Sequence, residues 1–247
     1  MKPLLIVKLG STFPALARDR GDFEDWVRDR LGLPSERVQV ASPPAGEDLP
    51  PPDSLAGAVL TGSHSMVTDN ADWSRRTADW LRQAVAAGTP LLGICYGHQL
   101  LAHAMGGRVG PNPSGREFGT VEIRLHPAAA EDPLFAGLPP CLGGQTSHAQ
   151  SALALPPAAR CLAWSDQEPH HAFRLGDSAW GVQFHPEFDA HVARTYIRYC
   201  AAPLRAEGRQ PQQLLQAVRE TPASESLLRR FAGIACGKDR DARREIV

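Results

Sequence analysis

Residues 93–97 read Gly93-Ile94-Cys95-Tyr96-Gly97, a cysteine separated from a glycine by one residue on each side. The apolar pair Leu91-Leu92 precedes this run, and the helical stretch from His98 to Met105 follows it. That order predicts a strand turning sharply into a helix, with the thiol at the tip of the turn. Few other arrangements suit it. A tight strand-to-helix turn crowds the backbone, so a Cβ at position 93 or 97 would collide, and glycine relieves the crowding. A sulfur at the start of a helix faces free backbone N–H groups, which favour negative charge there. A buried structural cysteine is the alternative, because free cysteine packs as a small hydrophobe.

A nucleophile needs a base, and residues 180–188, Trp180-Gly181-Val182-Gln183-Phe184-His185-Pro186-Glu187-Phe188, offer one. Trp180, Val182 and Phe184 alternate with smaller or polar residues, a short strand that proline ends. In extended chain, alternate side chains share a face, so His185 and Glu187 lie side by side. A carboxylate on one imidazole nitrogen fixes the tautomer and leaves the other free to take a proton from Cys95.

Gly93-Ile94-Cys95-Tyr96-Gly97-His98-Gln99 and Gly181-Val182-Gln183-Phe184-His185-Pro186-Glu187 resemble the two signature blocks of the class I glutamine amidotransferases. Within that class the chain is most similar to stand-alone, GMP-synthase-like glutaminase domains, from about Leu4 to about Tyr199. The resemblance implies hydrolysis of a γ-glutamyl amide through a thioester, releasing ammonia, with Cys95, His185 and Glu187 as the triad.

Ala58-Val59-Leu60-Thr61-Gly62-Ser63-His64-Ser65 reads as an apolar strand entering a glycine-containing loop. A tetrahedral intermediate carries an oxyanion that backbone donors stabilise. In an elbow the amide after the nucleophile, here Tyr96, is one donor, and a neighbouring strand-to-helix loop supplies a second. The resemblance assigns that second donor to Gly62, although many relatives have Gly-Gly-Pro where this chain has Thr61-Gly62-Ser63. By the same resemblance Gln99, one turn after Cys95, faces the γ-glutamyl group. The backbone of Ser147-His148 would hold the substrate's amino-acid end. His64 has no counterpart and reads as a solvent-exposed residue.

Other patterns carry less. Gly233-Ile234-Ala235-Cys236-Gly237-Lys238 lacks a spacer residue of a phosphate loop, and Asp239 stands where a hydroxyl residue belongs. His170-His171 near Glu168 has no second ligand pair at metal-binding spacing and reads as an exposed loop. No cofactor and no metal are expected. Five cysteines, without a Cys-x-x-Cys pair, suit reduced thiols. A net charge of −1 gives no electrostatic case for nucleic acid or a membrane surface. The start of the chain has no basic leader or long apolar span, so a cytoplasmic location is expected.

Strands near 3–9, 36–41, 56–61 and 90–94 alternate with helices near 22–31, 72–87 and 96–105. The expected fold is therefore α/β, a mostly parallel open sheet with helices on both faces, flavodoxin-like. From Thr120 shorter extended runs, Val121–Leu125, Cys161–Trp164 and the strand before His185, point to a smaller, partly antiparallel sheet. Residues 1–202 are read as the amidotransferase domain and 203–247 as a helical C-terminal extension. Leu214, Leu215 and Val218, then Leu227, Leu228 and Phe231, mark two amphipathic helices that pack on the domain's own surface. Lys238–Glu245 is mixed in charge and expected to fray.

Three functions fit. The first is a glutaminase feeding a separate ammonia-using synthase. The second is a free-standing hydrolase of γ-glutamyl peptides or amides. The third is a catalytically silent binding protein, against which the intact Cys95, His185 and Glu187 argue.

Overall fold

The computed structural model of the chain describes residues 1–237; the mixed-charge segment Lys238–Glu245 lies outside the described residues. In chain order the strands are β1 Leu4–Val7, β2 Val38–Ala41, β3 Gly57–Leu60, β4 Leu91–Ile94, β5 Arg108–Pro111 and β6 Glu117–Leu125. They continue with β7 Cys141–His148, β8 Gln150–Ala154, β9 Ala159–Trp164, β10 Ala172–Leu175 and β11 Ala179–Val182. The helices are α1 Pro14–Arg20, α2 Phe23–Leu31, α3 Asp72–Ala86, α4 Tyr96–Ala104, α5 Ala190–Tyr199, α6 Ala201–Ala206, α7 Pro211–Ala217 and α8 Pro222–Ala235.

One sheet runs through the molecule in the order β2-β1-β3-β4-β11-β10-β9-β6-β7. Strands β2, β1, β3, β4 and β11 pair in parallel, and β11 through β7 pair antiparallel. The antiparallel strands thus extend the parallel sheet, and only β5 and β8 form a separate two-stranded ribbon. The strand before His185 lies further inside than its alternation suggests. All four β11 residues are buried, and the strand runs parallel beside β4. Glycine and alanine alternate there with Trp180 and Val182, and helices or strands cover both faces.

Alternate residues of each parallel strand feed opposite cores. Leu4, Ile6, Val59, Leu92, Ile94 and Trp180 pack under α2 and α8. Leu5, Val7, Ala58, Leu60 and Leu91 pack under α3 and α4. In α8, Leu227, Leu228 and Phe231 are fully buried, with the Phe231 ring edge-on to Trp180. Each such side chain contributes about 1.5–3 kcal/mol of burial. The C-terminal helix packs on the chain's own sheet, as its stripe predicts. Helix α1 has no counterpart among the expected elements: its seven residues bury only Leu16, so no apolar stripe announces it.

Candidate active site

Strands β4 and β11 end side by side, and the two critical segments leave from those ends. Val182 is level with Ile94, and the Cys95 N–H donates to the Val182 carbonyl at 2.9 Å. Chain neighbours of adjacent strand ends therefore meet, at the carboxyl edge where open α/β sheets bind ligands.

Cys95 has φ 50° and ψ −99°, outside the regions an L-residue ordinarily occupies. The flanking glycines permit this turn. A Cβ on Gly93 would lie 2.4 Å from the Gly97 carbonyl oxygen, and one on Gly97 would lie 2.6 Å from the Leu60 oxygen. The turn leaves Cys95 at the head of α4 and on the wall of a cavity of about 250 Å³.

His185 is 2 % exposed, and its Nδ1 lies 2.7 Å from Glu187 Oε1. Its side chain also hydrogen-bonds with that of Cys95. Burial alone pulls the imidazole down, but the charges of Glu187 and Cys95 outweigh it and push His185 up to about 10. Phe188 stacks on the ring at 4.0 Å, and Phe23 lies parallel to it at 6.3 Å. The two aspartates nearest in sequence are engaged elsewhere. Asp189 caps α5 and pairs with Arg20, while Asp166 pairs with Arg124.

Gly62 follows β3 and presses on the base: a Cβ there would stand 3.0 Å from His185 Cε1. Tyr96 offers its backbone N–H beside the sulfur, while its hydroxyl lies 2.7 Å from Ser74 Oγ. Gln99 is buried on the cavity wall, and its Nε2 donates to the Gln150 carbonyl at 2.7 Å and to Gln183 Oε1 at 2.9 Å. Ser147 and His148 also reach the wall, but the His148 ring is occupied. Its Nδ1 donates to the Gln150 carbonyl and its Nε2 to Glu117 Oε2, each at 3.0 Å. All eight sequence-assigned residues thus gather around or directly behind one cavity.

Some neighbours carry no signal in the sequence. Phe13, Arg116, Phe118 and Tyr196 line the same cavity. Tyr196 is an α5 residue whose hydroxyl lies 2.7 Å from Thr12 Oγ1 and 3.2 Å from His64 Nε2. No local pattern links α5 to the elbow, so only the fold brings them together. His64 is exposed, as expected, yet its ring borders the cavity. Burial of its inner edge lowers its pKa, the nearby His185 charge lowers it further, and Asp22 acts the other way.

The segment around His170-His171 differs from expectation. Glu168 and His171 are fully buried rather than in an exposed loop. Glu168 accepts from Ser151 Oγ and from the His170 N–H, which draws the turn inward. His171 Nε2 lies 3.0 Å from Glu117 Oε2, the oxygen that His148 also contacts, and Ser165 Oγ donates to Glu117 Oε1 at 2.7 Å. Burial raises the Glu117 carboxyl, but the two imidazoles more than reverse this and hold it well below the usual carboxylate range. Among the described residues no cluster of three or more His, Cys, Asp or Glu is arranged to hold a metal ion.

A strained thiol, an imidazole bonded to it and a buried carboxylate behind that imidazole form the equipment of a cysteine-nucleophile hydrolase on an open α/β sheet. Residues 39–200 match the family glutamine amidotransferase class-I. A glutamine-hydrolysing GMP synthase of Aeropyrum pernix is 36 % identical over 185 residues, covering 74 % of this chain and 32 % of that protein. A free-standing, glutamine-hydrolysing GMP synthase component of Ignicoccus hospitalis is 36 % identical over 143 residues, covering 57 % of this chain and 72 % of that protein. The crystal structure of a glutamine amidotransferase from Thermotoga maritima superposes with a TM-score of 0.75 at 22 % identity, over 96 % of this chain and 99 % of that one. The chain belongs to the class I glutamine amidotransferases. It spans about a third of the length of the GMP synthases it most resembles.

Proposed function

We propose that the protein hydrolyses the γ-amide of glutamine to glutamate and ammonia through a thioester on Cys95. The observation that carries this is the strained Cys95 at the end of β4, bonded to a His185 that Glu187 backs at 2.7 Å on the neighbouring strand end.

The sequence of bonds follows from these atoms. The Cys95 proton passes to His185, and the sulfur attacks the γ-carbonyl carbon. The carbonyl oxygen becomes an oxyanion facing the N–H of Tyr96 and the backbone of Gly62. As the C–N bond breaks, His185 returns the proton to the departing nitrogen and ammonia leaves. Water then attacks the thioester with His185 as base, releasing glutamate and restoring the thiol. Glu187 steadies the ring throughout and transfers no proton itself. Gln99 and the backbone of Ser147 and His148 hold the rest of the glutamyl group.

A separate ammonia-using synthase is the proposed partner, supported by the free-standing GMP synthase component found in Ignicoccus hospitalis. We place the amidotransferase unit at residues 1–202 and treat 203–247 as an extension, of which α7 and α8 lie beyond the family match. The cytoplasm is the proposed location. No helix among the described residues is long and apolar enough to cross a membrane. A second reading, hydrolysis of larger γ-glutamyl amides, draws support from the aromatic side of the cavity, where Phe13, Phe118 and Tyr196 leave room beyond Cys95.

Purified protein incubated with glutamine and a panel of γ-glutamyl compounds separates these readings. Ammonia from glutamine alone supports the first, and amine release from γ-glutamyl peptides with no glutamine turnover supports the second. No turnover of any compound would overturn both and leave a silent binding protein.

A further inference from the structure

The geometry points to Glu117 as a positioning residue that, through His148, sets the cavity wall for the amino-acid end of the substrate. It rests on the γ-glutamyl reading of the site and adds a residue outside the two signature blocks.

Glu117 opens β6 and pairs in register with His148, the last residue of β7. Its chain neighbours Arg116 and Phe118 line the cavity, so the pleat sends the Glu117 side chain the other way, behind the wall. There it is 2 % exposed, a position where a carboxylate is unfavourable unless every oxygen is matched. Here both are matched. Oε1 accepts from Ser165 Oγ at 2.7 Å, and Oε2 lies 3.0 Å from the Nε2 atoms of His148 and His171.

His148 transmits this arrangement to the wall. With Nε2 on Glu117, its Nδ1 donates to the Gln150 carbonyl, which also accepts from Gln99 Nε2. The chain between these two points, Ser147 to Gln150, lines the cavity and crosses from β7 to β8. Its carbonyls and amides are therefore clamped from behind by one ring and from the side by one amide. A ring donating from both nitrogens also carries positive charge, which favours a substrate carboxylate at this wall. The carboxylate of Glu117 is what makes Nε2 a donor. An amide at position 117 removes that charge and lets the His148 ring turn.

The test compares two reagents that alkylate Cys95. A chloroketone analogue of glutamine must seat its amino-acid end before the sulfur displaces chloride. Iodoacetamide needs no such seating. For Glu117→Gln, with circular dichroism as in the unaltered protein, we expect alkylation by the chloroketone to slow about 10-fold or more, the value of a charge-assisted hydrogen bond. Iodoacetamide should react within about 2-fold of the unaltered rate, and KM for glutamine should rise with kcat nearly unchanged. Equal slowing with both reagents, or an unchanged KM, overturns the proposal. Should Glu117→Gln not fold, Ser165→Ala removes one of the three bonds to the carboxylate. It should shift the reagent ratio several-fold in the same direction, and an unshifted ratio is equally fatal. An unaltered protein that reacts with the chloroketone but never turns over glutamine would defeat the glutaminase reading alone.

Discussion

Two histidine–carboxylate pairs stand at the same cavity, one in the parallel half of the sheet and one in the antiparallel half. His185 and Glu187 are two residues apart, and the second ring nitrogen is left to the Cys95 thiol. His148 and Glu117 are thirty-one residues apart, and the second ring nitrogen is bonded to a backbone carbonyl. The same two functional groups therefore do opposite work. A ring with one nitrogen facing a reacting group can move a proton; a ring with both nitrogens committed to protein acceptors can only hold a shape.

The largest expected effect tests that division directly. His185→Ala and Cys95→Ala should each lower kcat by about 10⁴-fold or more with circular dichroism unchanged, because removing any member of such a unit disables the whole. His148→Asn should instead act mainly on KM. Comparable kcat losses at both histidines, measured by ammonia release, would erase the distinction. Glu187→Gln comes next, with a loss of about 10²–10⁴-fold in kcat, because a neutral amide fixes the ring less well and cannot balance its charge. Full activity in that variant would mean Glu187 does not orient His185.

The pH response of stability offers a smaller effect. His185 stands near 10 in the folded chain against an ordinary value of 6.5. A raised value means the folded form holds the proton more tightly, so this stabilisation is complete below pH 6.5 and is lost as pH rises through 10. The Tm advantage of the unaltered protein over Glu187→Gln should accordingly shrink between pH 7 and 10. An advantage that widens would contradict a charged pair. Smallest is Tyr196→Phe, which removes the hydroxyl between Thr12 and His64 and should cost about 0.5–1.5 kcal/mol in denaturant unfolding. A loss of kcat as large as that of Glu187→Gln would instead place Tyr196 in the chemistry.

The two pairs also differ in how legible they are from sequence. Cys95, its glycines, His185 and Glu187 lie in two short runs whose logic is local, a turn that excludes Cβ atoms and a period of two. Parallel strands are equally readable, because burial on both faces leaves almost uninterrupted apolar runs. Glu117 is not, since a charged residue opening a strand ordinarily faces water. Only the pairing of β6 with β7 and the inward turn at Glu168 bury it. Tyr196 is hidden for the same reason: its partners Thr12 and His64 come from loops more than 130 residues away. The place of β11 also depends on sheet order, which no single segment encodes.

Helix α8 has a consequence for synthesis. The face of the sheet built from Leu4, Ile6, Val59, Leu92 and Trp180 is complete in chain order by residue 182, but α8 covers part of it only with residues 222–235. A chain leaving the ribosome N-terminus first therefore has all of its reacting groups out before that face is closed, and for that interval it presents an open apolar patch of the kind that drives aggregation. Stopping translation ahead of Pro222 would yield a polypeptide with an intact active-site sequence and a sticky back, recovered in the pellet.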